Sequence, residues 1–121
     1  MLGQALYAQG RHHEAQEWCA VAAGAGAPDD ILTQVIWRGV KAKILAHEGR
    51  AEAAEALARE AVDLVQATDL LLWRGDAMLD LAEVLRLSSG MFQEAARGAL
   101  SEYERKGNAV GSARARALIS H

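Results

Sequence analysis

The sequence predicts an all-α fold of about seven antiparallel helices, and three observations carry the prediction. Of 121 residues, 26 are alanine, the strongest intrinsic helix former, while hydrophobic residues make up 51% and aromatics only 5%. Proline occurs once, at Pro28, and few positions show the β-branched alternation of a strand. Glycine recurs at a regular spacing: Gly10, Gly49 and Gly90 stand 39 and 41 residues apart, each between two amphipathic stretches.

A first helix over about 2–9 ends at Gly10, because glycine enters the left-handed conformation that stops a helix without a Cβ penalty. The short link after it sends a second helix, about 12–24, back antiparallel. The break GAGAPDD follows, where Asp29 or Asp30 is suited to cap a third helix over about 30–48. Gly49 closes that helix, and a fourth covers about 51–67. Thr68 is a suitable cap for a fifth over about 69–87, and Gly90 precedes a sixth over about 92–106. After the break KGN, Asn108 caps a seventh over about 108–119. The helix pairs thus fall in repeats of about 1–28, 29–67 and 68–107, with one C-terminal helix beyond them.

A net charge of −3 gives no electrostatic footprint for nucleic acid. The basic-leaning end, Arg105, Lys106, Arg114 and Arg116 against Glu102 and Glu104, reads as a solvated face. The single cysteine, Cys19, excludes an internal disulfide and fits a reducing cytoplasm. Uncharged runs fall well short of the roughly 20 apolar residues of a spanning helix, so no membrane partner is expected. The N-terminal stretch MLGQALYAQGR lacks the basic and apolar regions of a signal peptide.

The densest collection of ligand-type side chains is GRHHEAQEWC, with His12, His13, Glu14, Glu17 and Cys19. His13 and Glu17 have the four-residue spacing of helical metal ligands, but no third ligand joins them, and His12 and Cys19 leave two donors missing. Shifted by one repeat, GRHHEAQEWCA lies over GRAEAAEALAR, which pairs Trp18 with Leu57 and Cys19 with Ala58. The same turn and helix are therefore built without histidine. Both histidines are expected in a solvated first turn, Trp18 and Cys19 toward the packing surface, and no metal or cofactor is expected.

Trp37 and Trp73 both stand in the tripeptide WRG, yet Trp37 precedes Ala42 by five residues and Trp73 precedes Ala82 by nine. The repeat frame thus does not make WRG a motif, and both rings are expected in packing. No phosphate-binding loop, dinucleotide fingerprint or nucleophile elbow is present. Asp76, Asp80 and Glu83 form an acidic stripe suited to a solvated or partner-facing edge. Arg38 and Lys41 are expected to face Asp76 and Asp80 as an internal charge pairing. The chain is not expected to be an enzyme.

The first unit resembles a tetratricopeptide repeat through Leu2, Gly3, Leu6, Gly10, Ala15 and Ala22. The second does so through Ala42, Leu45, Gly49, Ala54 and Ala61, and the third through Leu81, Ala82, Leu85 and Gly90. The runs LDLAEVLRLS and YERKGNAVGSARARAL resemble the C-terminal arrays of large bacterial adenylate-cyclase-like and ATP-dependent transcription regulators. Three departures stand out: Arg38 and Lys41 occupy usually apolar positions, SSG holds an extra residue, and the shortened sixth helix contains Gly98.

The resemblance implies an α-solenoid, a right-handed superhelix of three helix pairs plus the C-terminal helix, with the first helix of each pair lining a concave face. The family's groove positions fall on Gln4 and Tyr7, on Lys43 and His47, and on Asp76, Glu83 and Arg86. It further implies a cytoplasmic, non-catalytic interaction module that binds a peptide, a partner protein or other domains of its parent chain. The alternative is a small-molecule-sensing domain coupled to an ATPase or cyclase output. The first unit begins almost on its signature leucine, so the chain is expected to be a fragment of a longer protein. Uncapped terminal helices favour a homodimer; sedimentation should show self-association at high concentration, and a strictly monomeric profile would count against it.

Overall fold

The computed structural model describes residues 2–25, 31–88 and 90–120. Every regular element among them is helical: α1 Leu2–Ala8, α2 His12–Ala25, α3 Ile31–His47, α4 Ala51–Gln66, α5 Leu71–Ser88, α6 Gln93–Lys106 and α7 Ala109–Ile119. These agree with the expected helices to within two residues at each end. Asp29 and Asp30, the expected caps of α3, lie outside the described residues.

The three spaced glycines all take the left-handed conformation just past a helix end. Gly10, Gly49 and Gly90 have φ of 76°, 80° and 79°. At the first two turns the next amide reaches back five residues, Arg11 N–H to the Leu6 carbonyl and Arg50 N–H to the Leu45 carbonyl, both at 2.9 Å. At the third, Gly90 itself donates five residues back, to Leu85 at 2.7 Å. The closing bond there is donated by the glycine itself and not by the residue after it. A fourth left-handed glycine, Gly107 at φ 80°, ends α6. There the Asn108 side chain accepts from Gly111 N–H at 3.0 Å, capping α7 as expected. Thr68 acts differently from expectation: its hydroxyl donates to the Val65 carbonyl at 2.7 Å and accepts from Leu70 N–H, so it closes α4, and α5 begins only at Leu71.

Alanine supplies the seams. Ala15, Cys19 and Ala22 on α2 repeat as Ala54, Ala58 and Ala61 on α4, and all six are buried. A seam of methyl-sized side chains lets helix backbones approach closely. Near the N-terminus Leu6, Ala15, Cys19, Ile36, Val40 and Ile44 form one cluster, with Trp18, Trp37 and Trp73 packed against it as expected. A larger cluster joins α3 to α7 around Ala82, Val84, Ala99 and Tyr103. Helices adjacent in sequence pack together, and α1 also touches α3, α3 touches α5, and α5 touches α7.

Tyr103 is the large side chain in this arrangement, fully buried where α5, α6 and α7 meet. Its ring lies against Gly75 of α5 and Gly111 of α7: a Cβ on Gly75 would stand 2.8 Å from Cε1, and one on Gly111 would overlap the ring more severely. Gly98 lies within the continuous α6, where a Cβ would meet the terminal methyl of the flexible Met78 side chain.

The two kinds of glycine separate experimentally. Gly49→Ala places a side chain in open space and carries only the left-handed backbone penalty, about 1–2 kcal/mol. Gly111→Ala drives a methyl into a buried ring and is expected to lose about 1–3 kcal/mol by overpacking. In urea unfolding Tyr103→Leu should recover part of the Gly111→Ala loss and none of the Gly49→Ala loss; identical responses would refute the assignment.

Candidate functional site

Side chains from α1, α3, α5 and α7 surround one hollow with two adjoining lobes. The first lobe, about 460 Å³, is walled by Gln4, Tyr7 and Ala8 of α1, Lys43 of α3, Asp76, Asp80 and Glu83 of α5, and Arg114 of α7. The second, about 430 Å³, shares Tyr7, Glu83 and Arg114. It adds His47, Leu79, Arg86 and Leu87, with Ala117 and Leu118 of α7. All seven residues singled out from the sequence, Gln4, Tyr7, Lys43, His47, Asp76, Glu83 and Arg86, line one lobe or the other. Sequence reasoning missed Arg114, Leu79, Leu87 and Leu118. Counting α7 as one more first helix, after the same break-and-cap rhythm, would have found Arg114.

The strongest contact in the hollow is an ion pair, Lys43 Nζ to Asp80 Oδ1 at 2.9 Å, with side-chain exposures of 8% and 13%. Gly39 makes room for it, since a Cβ there would overlap Asp80 Oδ2. Burial alone would lower the Lys43 pKa, but Asp80 and Glu83 outweigh it and hold the ammonium above its ordinary range. Lys43 Nζ also lies 4.5 Å from the centroid of the Tyr7 ring, a cation–π contact that brings α1 into the same cluster. The expected pairing of Asp80 with Arg38 or Lys41 is corrected here. Arg38 stacks on its neighbour Trp37 at 4.5 Å, and its Nε lies 3.6 Å from Glu60 on α4. Arg74 of the second WRG likewise reaches α6, its Nε 3.2 Å from Glu102. The two arginines therefore do parallel work although the repeat frame sets them apart.

Tyr7 is fixed from several sides. Its Oη and His47 Nε2 are hydrogen-bonded at 2.9 Å, and the His12 ring stacks parallel on it, centroids 5.0 Å apart. His12 is thus half-buried in a ring cluster and not simply solvated, as the sequence had suggested. The Gly10 turn returns the chain so that the first residue of α2 lies over the end of α1. Burial pushes the Tyr7 phenol up to about 12, helped by Glu83. His13 and Glu17 do face solvent, paired at 2.9 Å with side-chain exposures of 87% and 68%. Cys19 is buried, and burial pushes its thiol up to about 11.

The three carboxylates of α5 differ in what restrains them. Asp80 is held by Lys43, and Asp76 accepts a hydrogen bond from the Tyr103 hydroxyl. Burial raises the Asp76 pKa, opposed by that hydrogen bond and reinforced by Asp80. Glu83 makes no hydrogen bond or ion pair with a described residue, and burial raises its pKa against the pull of Lys43. Among the described residues no three His, Cys, Asp or Glu side chains converge as metal ligands. No described helix is long and apolar enough to cross a membrane. Compared with protein-family models, curated proteins and solved structures, the chain gives no significant match.

Because Lys43 and Asp80 are both nearly sealed from water, each needs the other. Asp80→Ala strands a buried ammonium and should cost about 3–5 kcal/mol, whereas Lys43→Met with Asp80→Leu should restore most of that loss. Chemical denaturation of the three proteins checks this; an Asp80→Ala loss below about 1 kcal/mol would place the pair among ordinary surface contacts.

Proposed function

We propose that the chain is a tetratricopeptide-like helical-repeat module, non-catalytic, that binds a peptide or partner domain in the hollow between its first helices. Its setting would be a cytoplasmic bacterial signalling or regulatory protein, by the resemblance of its C-terminal runs. The observation that carries the reading is the gathering of seven residues spread from position 4 to position 86 around one continuous hollow. The order of packing supports it as well: α1, α3, α5 and α7 touch in succession, while α2, α4 and α6 each pack only beside their sequence neighbours. A stack of helix pairs in a superhelix would produce that order.

The anatomy of the hollow suits a polypeptide. Leu79 and Leu118 give an apolar floor, the half-exposed Leu87 borders it, and charged side chains form the rim, the arrangement of a protein interface. Two of the three α5 carboxylates are engaged, Asp80 with Lys43 and Asp76 with Tyr103. One observation favours a small-molecule sensor instead: each lobe has the volume of a ligand pocket. Against that alternative, Trp18, Trp37 and Trp73 pack against the core and line neither lobe.

Selection from a phage-displayed library of random dodecapeptides tests the reading. Selected peptides are expected to lose at least tenfold in affinity for Ala117→Trp or Leu87→Arg, exposed positions that line the second lobe. They should keep their affinity for Glu55→Arg, in a separate hollow among α4, α5 and α6. Loss on Glu55→Arg alone would move the site to the opposite face and overturn the proposal.

A further inference from the structure

The hollow is electrically polar along its length. Asp76, Asp80, Glu83 and Arg86 follow one another on α5, and ten residues of helix from Asp76 to Arg86 span about 15 Å. Lys43 neutralises Asp80 from α3. Asp76 is then the remaining carboxylate that borders the first lobe alone, while Glu83 borders both lobes. Arg86 belongs to the second lobe, and Arg114 borders both. Arg86 and Arg114 are exposed, and neither makes an ion pair or hydrogen bond with a described residue. Leu79 and Leu118 lie in the wall of the second lobe. An acidic end thus adjoins a basic end that carries the apolar floor.

Resting on the peptide-groove reading above, we infer that the hollow takes a polypeptide segment of matching polarity, in one chain direction. The segment carries a basic residue for Asp76 at one end, an acidic residue for Arg86 at the other, and an aliphatic residue for the floor of Leu79 and Leu118. An extended chain advances about 3.3 Å per residue, so the two charges stand roughly four or five positions apart. A segment of the reverse order would set like charges against both ends, and like-charge contacts are an effective means of rejecting a wrong partner. The groove as a whole is close to neutral, with Lys43, Arg86 and Arg114 against Asp76, Asp80 and Glu83. Selection therefore lies in the order of charge and not in its total.

The dodecapeptide library tests this through the charge pattern of the peptides it yields. Peptides selected on the natural protein are expected to share one order of basic, aliphatic and acidic residues, and synthetic peptides of reversed order should bind at least tenfold more weakly. In Arg86→Glu with Arg114→Glu, both exposed, the same peptides should lose at least tenfold, and a new selection should replace the acidic position with a basic one. Peptides that lack a common order but are still displaced by Ala117→Trp would overturn the polarity and leave the groove reading intact. Binding that ignores both Ala117→Trp and the double arginine variant would overturn the two together.

Discussion

The buried pair of Lys43 and Asp80 is the contact on which the hollow depends. Two charges removed from water cost several kcal/mol each unless they meet, and here they meet at 2.9 Å. The approach requires α3 to carry glycine at position 39, where a methyl group would occupy the place of Asp80 Oδ2. It also sets the position of α1, because the same ammonium lies over the Tyr7 ring and Tyr7 in turn is bonded to His47 and stacked on His12. A short helix of seven residues has little intrinsic stability. The wall it contributes to the hollow is held by these contacts and by Leu6 in the core.

A second wedge acts at the other end. Tyr103 fills the junction of α5, α6 and α7 because Gly75 and Gly111 carry no side chain, and its hydroxyl ends on Asp76. Two of the three α5 carboxylates are thereby tied to opposite sides of the fold, Asp80 toward α3 and Asp76 toward α6. The partition of roles along α5 follows from this. Asp76 and Asp80 tie the helix to its neighbours, and Glu83 lines the hollow without a hydrogen-bond or ion-pair partner among the described residues.

The helices and their turns were legible because their signals are local. A left-handed glycine, an Asn cap and a seam of alanines at repeated offsets each depend on a few neighbouring residues, and Gly49, Asn108 and the pair Ala15 and Ala54 behave as their types require. The gathering of the seven singled-out residues around the hollow was legible only through the repeat frame, which aligns faces without measuring distances. What stayed hidden depends on contacts between distant helices. Lys43 and not Lys41 meets Asp80 because its side chain leaves α3 on the face toward α5, a difference of two residues that composition does not register. His12 joins Tyr7 because a turn brings them together, although its neighbour His13 is solvated. Gly75 and Gly111 carry no local cue to their role, which appears only where the Tyr103 ring fills the space they leave.

Polar contacts inside so small a helical protein have a further consequence for its uniqueness. Seams of alanine are nearly featureless: Ala54, Ala58 and Ala61 would meet a neighbouring helix almost as well if it slid by one turn. Such a slide of α5 against α3 would part Lys43 from Asp80 and leave two charges unpaired in a low-dielectric interior. The corresponding slide of α7 would drive a side chain into the ring of Tyr103, because Gly111 offers the only side-chain-free position among the described residues of that helix. The alanines therefore allow close packing but do not choose its register. The choice falls to a few sites where a charge or a ring fits at one position only, and the same sites set the spacing of the charged groups along the hollow.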